Sequence, residues 1–140
     1  IRVQKLQNKV YLLGKNENPF SYISKADCFV FASNHEGFPN VLVEALACEL
    51  PIISTDCQSG PREILAPNSD VSFQLKDKIE LAEYGVLAPI KNVGKLKEAM
   101  DLMINDEQIR TNYKEKAKQR ANDFRIDKII KQYEEIICVE

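Results

Sequence analysis

Residues 32–56, ASNHEGFPNVLVEALACELPIISTD, place two carboxylates, Glu36 and Glu44, eight positions apart around a Gly37-Phe38-Pro39 turn. An ionised carboxylate has two acceptor oxygens and no donor, so two adjacent hydroxyls, such as those of a ribose, suit it as a partner. Glu44 stands among Val41, Leu42, Val43, Ala45, Leu46 and Ala47, where an unpartnered charge is costly. It is the ribose-binding candidate, and Glu36 lies at the mouth of the same crevice. Gly37 leaves no Cβ to hold a ligand off the backbone, and Pro39 fixes φ for helix entry. The N–H groups around Phe38, Asn40 and Val41 then face the crevice at a helix N-terminus, where a phosphate is stabilised without a lysine. A structural reading stands beside this one. In it Glu44 caps a backbone N–H or pairs with a lysine, and Glu36 is a first-turn acid favoured by the helix dipole.

These residues need strands before and after them. VYLL (10–13), CFVFA (28–32), PIIST (51–55) and GVLAPI (85–90) each predict a strand, and none alternates polar with apolar. Both faces of the sheet should therefore be covered, which predicts a Rossmann-like α/β fold: a parallel sheet with helices on each side. PFSYISKA (19–26), NVLVEALACE (40–49) and GPREIL (60–65) supply the crossover helices. From residue 92 the pattern is helical, with Val93, Leu96, Met100 and Met103 or Ile104 at helical spacing, a second helix over 106–121, and a last one over 126–139. Residues 66–84 predict an exposed excursion. The chain thus reads as a single domain over 1–140, with sheet and crossovers in 1–91 and C-terminal helices in 92–140. In such a sheet ligands bind beyond the carboxyl ends of the strands, where the loop SNHEGFPN falls.

The bulk composition restricts the partners. With 140 residues and 44% of them hydrophobic, the chain can bury one sizeable core. A formal net charge of -2 argues against nucleic acid as a partner and against an anionic membrane surface. Cys28, Cys48, Cys57 and Cys138 form no CxxC pair and have no histidine at metal-ligand spacing, so reduced thiols in a cytoplasmic protein are expected, with no metal site. No apolar run approaches the roughly 20 residues that span a bilayer.

VYLLG, the stretch NPFSYISKADCFVFASNHEGFPNVLVEALACELPIISTDCQSGPREIL, and YGVLAPI together resemble the C-terminal, donor-binding half of the retaining glycosyltransferases of family four. That family has the GT-B architecture of two facing Rossmann-like domains. E-G-F-P-N with the second glutamate in place, followed by T-D-x-x-x-G-P-x-E, is far more specific than the two acids alone. The resemblance implies that Glu36 sits beside the transferred sugar as the catalytic-site acid, that Gly37, Phe38 and Pro39 present main-chain groups to sugar and pyrophosphate, and that Glu44 holds the ribose. It implies transfer of a hexose or N-acetylhexosamine, with retention and without metal or other cofactor, from a nucleotide-sugar (a UDP-sugar is favoured) to a glycan or lipid-linked acceptor. It also implies that the first strands, the phosphate-binding Arg and Lys, and the protein's own N-terminal acceptor-binding domain lie upstream of Ile1. Arg2, Lys5 and Lys9 do not serve as that pair, and the 140 residues alone are expected to be inactive.

Other residues border the same crevice. Gly14 ends the VYLL run on the ligand face, and Gly60 opens the next helix where its amide can touch the donor. Arg62 pairs either with a phosphate or Glu36, or with a structural partner. His35 reads as a loop residue rather than a general base. The basic stretch Lys114 to Lys131 reads as a solvated helix face interleaved with acids, leaving peripheral membrane contact to the rest of the protein. The apolar stripe of 126–139 is expected to pack on the sheet or to brace the N-terminal domain. Two other classes remain open: a nucleotide-sugar epimerase of the same architecture, and a non-catalytic nucleotide-binding module.

Overall fold

The computed structural model describes residues 5–137. Arg2 and Cys138 lie outside the described residues, as does the end of the expected last helix. In chain order the elements are α1 (Phe20–Ile23), β1 (Phe29–Phe31), α2 (Asn40–Ala47), β2 (Ile52–Thr55), α3 (Pro61–Leu65), β3 (Glu80–Leu81), β4 (Val86–Ala88), α4 (Val93–Asn105), α5 (Glu107–Ala121), a 3-10 turn (Asn122–Phe124) and α6 (Ile126–Ile137).

The strands form one sheet in the order β1-β2-β4-β3. β1 pairs with β2 and β2 with β4 in parallel, with Phe31 opposite Ser54 and Thr55 opposite Ala88. Their carboxyl ends therefore open on the same edge. Successive side chains of a strand point to opposite faces, and the core divides accordingly. Ile52 and Leu87 join Leu42 and Leu46 of α2, Ile64 and Leu65 of α3 and Ala117 of α5 on one face. Ile53 and Val86 join Ala99 and Met103 of α4 and Tyr113 of α5 on the other. Burying a leucine such as Leu46 completely is worth about 2 kcal/mol. The expectation of an apolar β2 and β4 covered on both faces is met by helices on each side.

The structure corrects three readings. The run 10–13 is not a strand; Val10, Tyr11, Leu12 and Leu13 are exposed, Leu12 to 85%. A β-rich run becomes a strand only against a partner ladder, and no described strand lies beside this one. The sheet is not wholly parallel, because β3, inside the expected excursion, pairs antiparallel with β4 through Glu80 opposite Leu87. The last helix does not pack on the sheet: Ile126, Tyr133, Ile136 and Ile137 are each more than three-fifths exposed. Arg125 adopts an extended backbone, φ -64 and ψ 143, which turns α6 away from the line of α5.

Candidate donor site

The crevice edge is built by three loops, 32–39 after β1, 56–60 after β2 and 89–92 after β4. The first two are joined. The Thr55 hydroxyl donates to the carbonyl of Ser33, and the Ser33 hydroxyl donates to the carbonyl of His35 at 3.0 Å. Gly60, at φ +87, lies against the turn so closely that a Cβ on it would stand 2.2 Å from Cδ of Pro39 and 3.0 Å from the Gly37 carbonyl oxygen. That approach is open only to glycine, on grounds of both space and φ. The Phe38 ring rests on Phe124 with centroids 5.6 Å apart, so the turn is also propped from the C-terminal helices.

Pro39 stands at the N-cap of α2 and Asn40 at its first helical position. Among the described residues nothing accepts a hydrogen bond from the N–H of Gly37, Phe38 or Val41, whereas that of Asn40 bonds back to the Phe38 carbonyl at 3.0 Å. Those groups are the unpaired donors expected at a helix start, where the helix field is positive. α2 buries Leu42, Ala45 and Leu46, which puts Asn40, Glu44 and Ala47 on the opposite side of the helix. Glu44 is half-buried, and no described residue forms a hydrogen bond or ion pair with its carboxylate. The same holds for Glu36, which is half-buried in the 32–39 loop. Its charge is felt at Cys57, whose thiol is pushed up by burial first and by Glu36 next. His35 is exposed, as expected.

Three further expected residues are placed differently. The Gly60 N–H, expected to touch the donor, is donated to Glu63 Oε1 at 3.1 Å, because Glu63 folds back to cap the start of α3. Gly14 has φ +67, is exposed and has no neighbour within 4 Å of where a Cβ would be; without a strand at 10–13 it does not end one. Arg62 is not available to a phosphate or to Glu36. It is buried, and all five of its N–H donors are used: Nε and Nη2 on Asp56 at 3.1 and 2.8 Å, Nη1 and Nη2 on Glu80 at 3.3 and 2.9 Å, and Nη1 on Ser69 at 3.1 Å. The structural alternative for Arg62 is the one realised.

Some neighbours of the site had no signal in the sequence. Asn34, Thr55, Pro89, Lys91 and Leu96 line a small cleft of about 160 Å³ between the first and third loops. Asn34, Pro89 and Lys91 come from two loops and Leu96 from α4, outside any motif; Thr55, the last residue of β2, opens the T-D-x-x-x-G-P-x-E motif but has no expected role of its own. Among the described residues no group of three or more His, Cys, Asp or Glu side chains is placed to hold a metal ion, and no helix is long and apolar enough to cross a membrane.

The family model described as "Glycosyl transferases group 1" matches residues 2–120. An uncharacterized glycosyltransferase of Methanocaldococcus jannaschii is 42% identical over 94% of this chain and 36% of its own length. The N-acetylgalactosamine-N,N'-diacetylbacillosaminyl-diphospho-undecaprenol 4-alpha-N-acetylgalactosaminyltransferase of Campylobacter jejuni is 37% identical over 89% of this chain and 30% of its own. Among solved structures, Anabaena HepE in complex with UDP superposes with a TM-score of 0.80 at 22% identity, over 98% of this chain and 34% of that one. The chain therefore spans about a third of the length of the relatives it matches, and it shares the Rossmann-like α/β fold of GT-B glycosyltransferases.

Proposed function

The chain belongs to the group 1 glycosyl transferases, and from that premise we propose that it forms the nucleotide-sugar-binding part of a retaining enzyme that transfers a hexose or N-acetylhexosamine. The observation that carries this reading is the pair of half-buried carboxylates that have no partner among the described residues, together with the N–H groups at the start of α2 that are likewise unpaired there. Glu44 accepts the two ribose hydroxyls. The amides of Gly37, Phe38 and Val41 meet the diphosphate, with Gly60 holding their turn in place. Glu36 lies next to the sugar and orients its hydroxyls.

In this reading the reaction needs no metal. Negative charge develops on the departing diphosphate and is offset by preorganised amides and the positive helix end, which favour the transition state over the ground state. A UDP-sugar is the donor, in line with the UDP held by Anabaena HepE. A glycan or lipid-linked glycan is the acceptor, in line with the Campylobacter jejuni relative, whose name carries a diphospho-undecaprenol acceptor. The acceptor is held by an N-terminal domain of the same protein, against which the apolar stripe of α6 rests, and the enzyme works at the cytoplasmic face of the membrane.

Titrating UDP, GDP and ADP into the protein by calorimetry tests the reading: UDP should bind, and the other two more weakly. Absence of any nucleotide affinity would leave a module whose carboxylates do other work. Loss of label at the sugar C2 without an acceptor would instead point to epimerisation.

A further inference from the structure

We propose that Asp56, Arg62 and Gln74 form a positioning clamp for the donor crevice, through which the excursion 66–79 governs nucleotide affinity from outside it. The proposal rests on the donor-site reading above. Asp56 directly follows β2, and its N–H donates to the Ala88 carbonyl at 2.7 Å, which anchors it to the sheet. Arg62 lies six positions later in α3. Their bidentate ion pair, 1% and 4% exposed, closes the intervening loop at its base.

That loop needs holding. Ser59 and Gly60 both have positive φ, +69 and +87, and successive left-handed residues persist only where their surroundings impose them. The Gly60 N–H is tied to Glu63 Oε1 at 3.1 Å, and on its other side Gly60 presses on Pro39 and Gly37. A shift at the base of the loop therefore reaches the turn whose amides meet the diphosphate. The excursion grips the same base from outside. Gln74 Nε2 donates to the Asp56 carbonyl at 3.0 Å, the Leu75 N–H donates to Asp56 Oδ2 at 2.7 Å, and the Phe73 ring lies 5.1 Å from the Arg62 guanidinium. Asp56 and Arg62 are buried and their side chains are taken up by one another and by Leu75, Ser69 and Glu80, so they act on the crevice by holding the loop.

The test is UDP affinity of the full-length protein carrying Asp56→Asn, Arg62→Lys or Gln74→Ala, beside Met103→Ala in the opposite core face as a stability-matched control. Asp56→Asn and Arg62→Lys should weaken UDP binding about 5-fold or more, and Gln74→Ala about 2-fold with its melting temperature little changed. Met103→Ala should melt earlier yet bind UDP as the wild type does. Adding Gln74→Ala to Asp56→Asn should cost less than the sum of the two, because both act on one loop. Wild-type affinity in Asp56→Asn and Gln74→Ala, or an equal loss in Met103→Ala, overturns the clamp. Should Asp56→Asn fail to fold, Gln74→Ala decides. A wild-type protein that does not bind UDP overturns the donor-site reading instead, and the clamp with it.

Discussion

Gly60 and Pro39 touch across the crevice edge, with the Gly60 backbone so close that a Cβ would stand 2.2 Å from the proline Cδ. The loop after β2 and the turn after β1 are thus a single body, and the position of one fixes the other. Gly60→Ala adds a methyl group where none fits, at φ +87, so the two loops must part. We expect it to destabilise the fold by about 2–4 kcal/mol and to abolish measurable UDP binding, checked by thermal melting and calorimetry. Retained affinity would show that the two loops are not coupled.

Glu44→Gln removes a charge that has no internal partner among the described residues, so the melting temperature should stay within about 2 °C of wild type. If the carboxylate holds the ribose, UDP affinity should fall by about 10- to 100-fold, the loss of a charge-assisted hydrogen bond worth about 1.5–3 kcal/mol. A variant that melts much earlier and binds UDP normally would instead assign Glu44 to structure.

The apolar side chains of α6 should be nearly silent for the stability of this chain. Ile136 is 74% exposed and Leu46 fully buried. Ile136→Ser should change unfolding free energy by no more than about 0.5 kcal/mol, while Leu46→Ala should cost about 2–5 kcal/mol. Denaturant titration separates the two, and a large effect at Ile136 would mean that α6 is covered by something in the same chain.

Thiol chemistry gives an independent check on the packing. Burial pushes the Cys28 thiol up to about 11, Asp27 adding to the rise and Arg110 opposing it, and burial and Glu36 likewise raise that of Cys57. A raised value keeps the thiol protonated, so at pH 8 only about one Cys28 in a thousand is thiolate. Iodoacetamide followed by peptide mass spectrometry should label neither site until urea unfolds the protein, and rapid labelling of Cys57 in the native state would show the 56–60 loop to be open.

Much of this arrangement is legible in the chain itself, and the exceptions have physical causes. Ile52, Ile53, Val86 and Leu87 advertise buried strands because both faces need apolar side chains, and α2 is bounded by Pro39 and by the turn before Pro51. VYLL carries the same β-rich signal but has no ladder to join among the described residues, and propensity without a partner makes no strand. β3 is invisible for the opposite reason: Glu80 and Leu81 are too few to show a pattern. At the site, Glu36, Gly37, Glu44 and Gly60 stand out by type and spacing. The fate of Arg62 does not, since its partners Asp56, Ser69 and Glu80 lie up to eighteen positions away and only the tertiary fold brings them to it.

The donor site is tested most directly by a two-dimensional amide spectrum of the labelled protein titrated with UDP. The amides of Gly37, Phe38, Val41, Glu44 and Gly60 should move together along one saturable curve, while those of α6 and the second half of α4 stay in place. Shifts confined to other surfaces, or none at all at millimolar UDP, would contradict the donor-site reading.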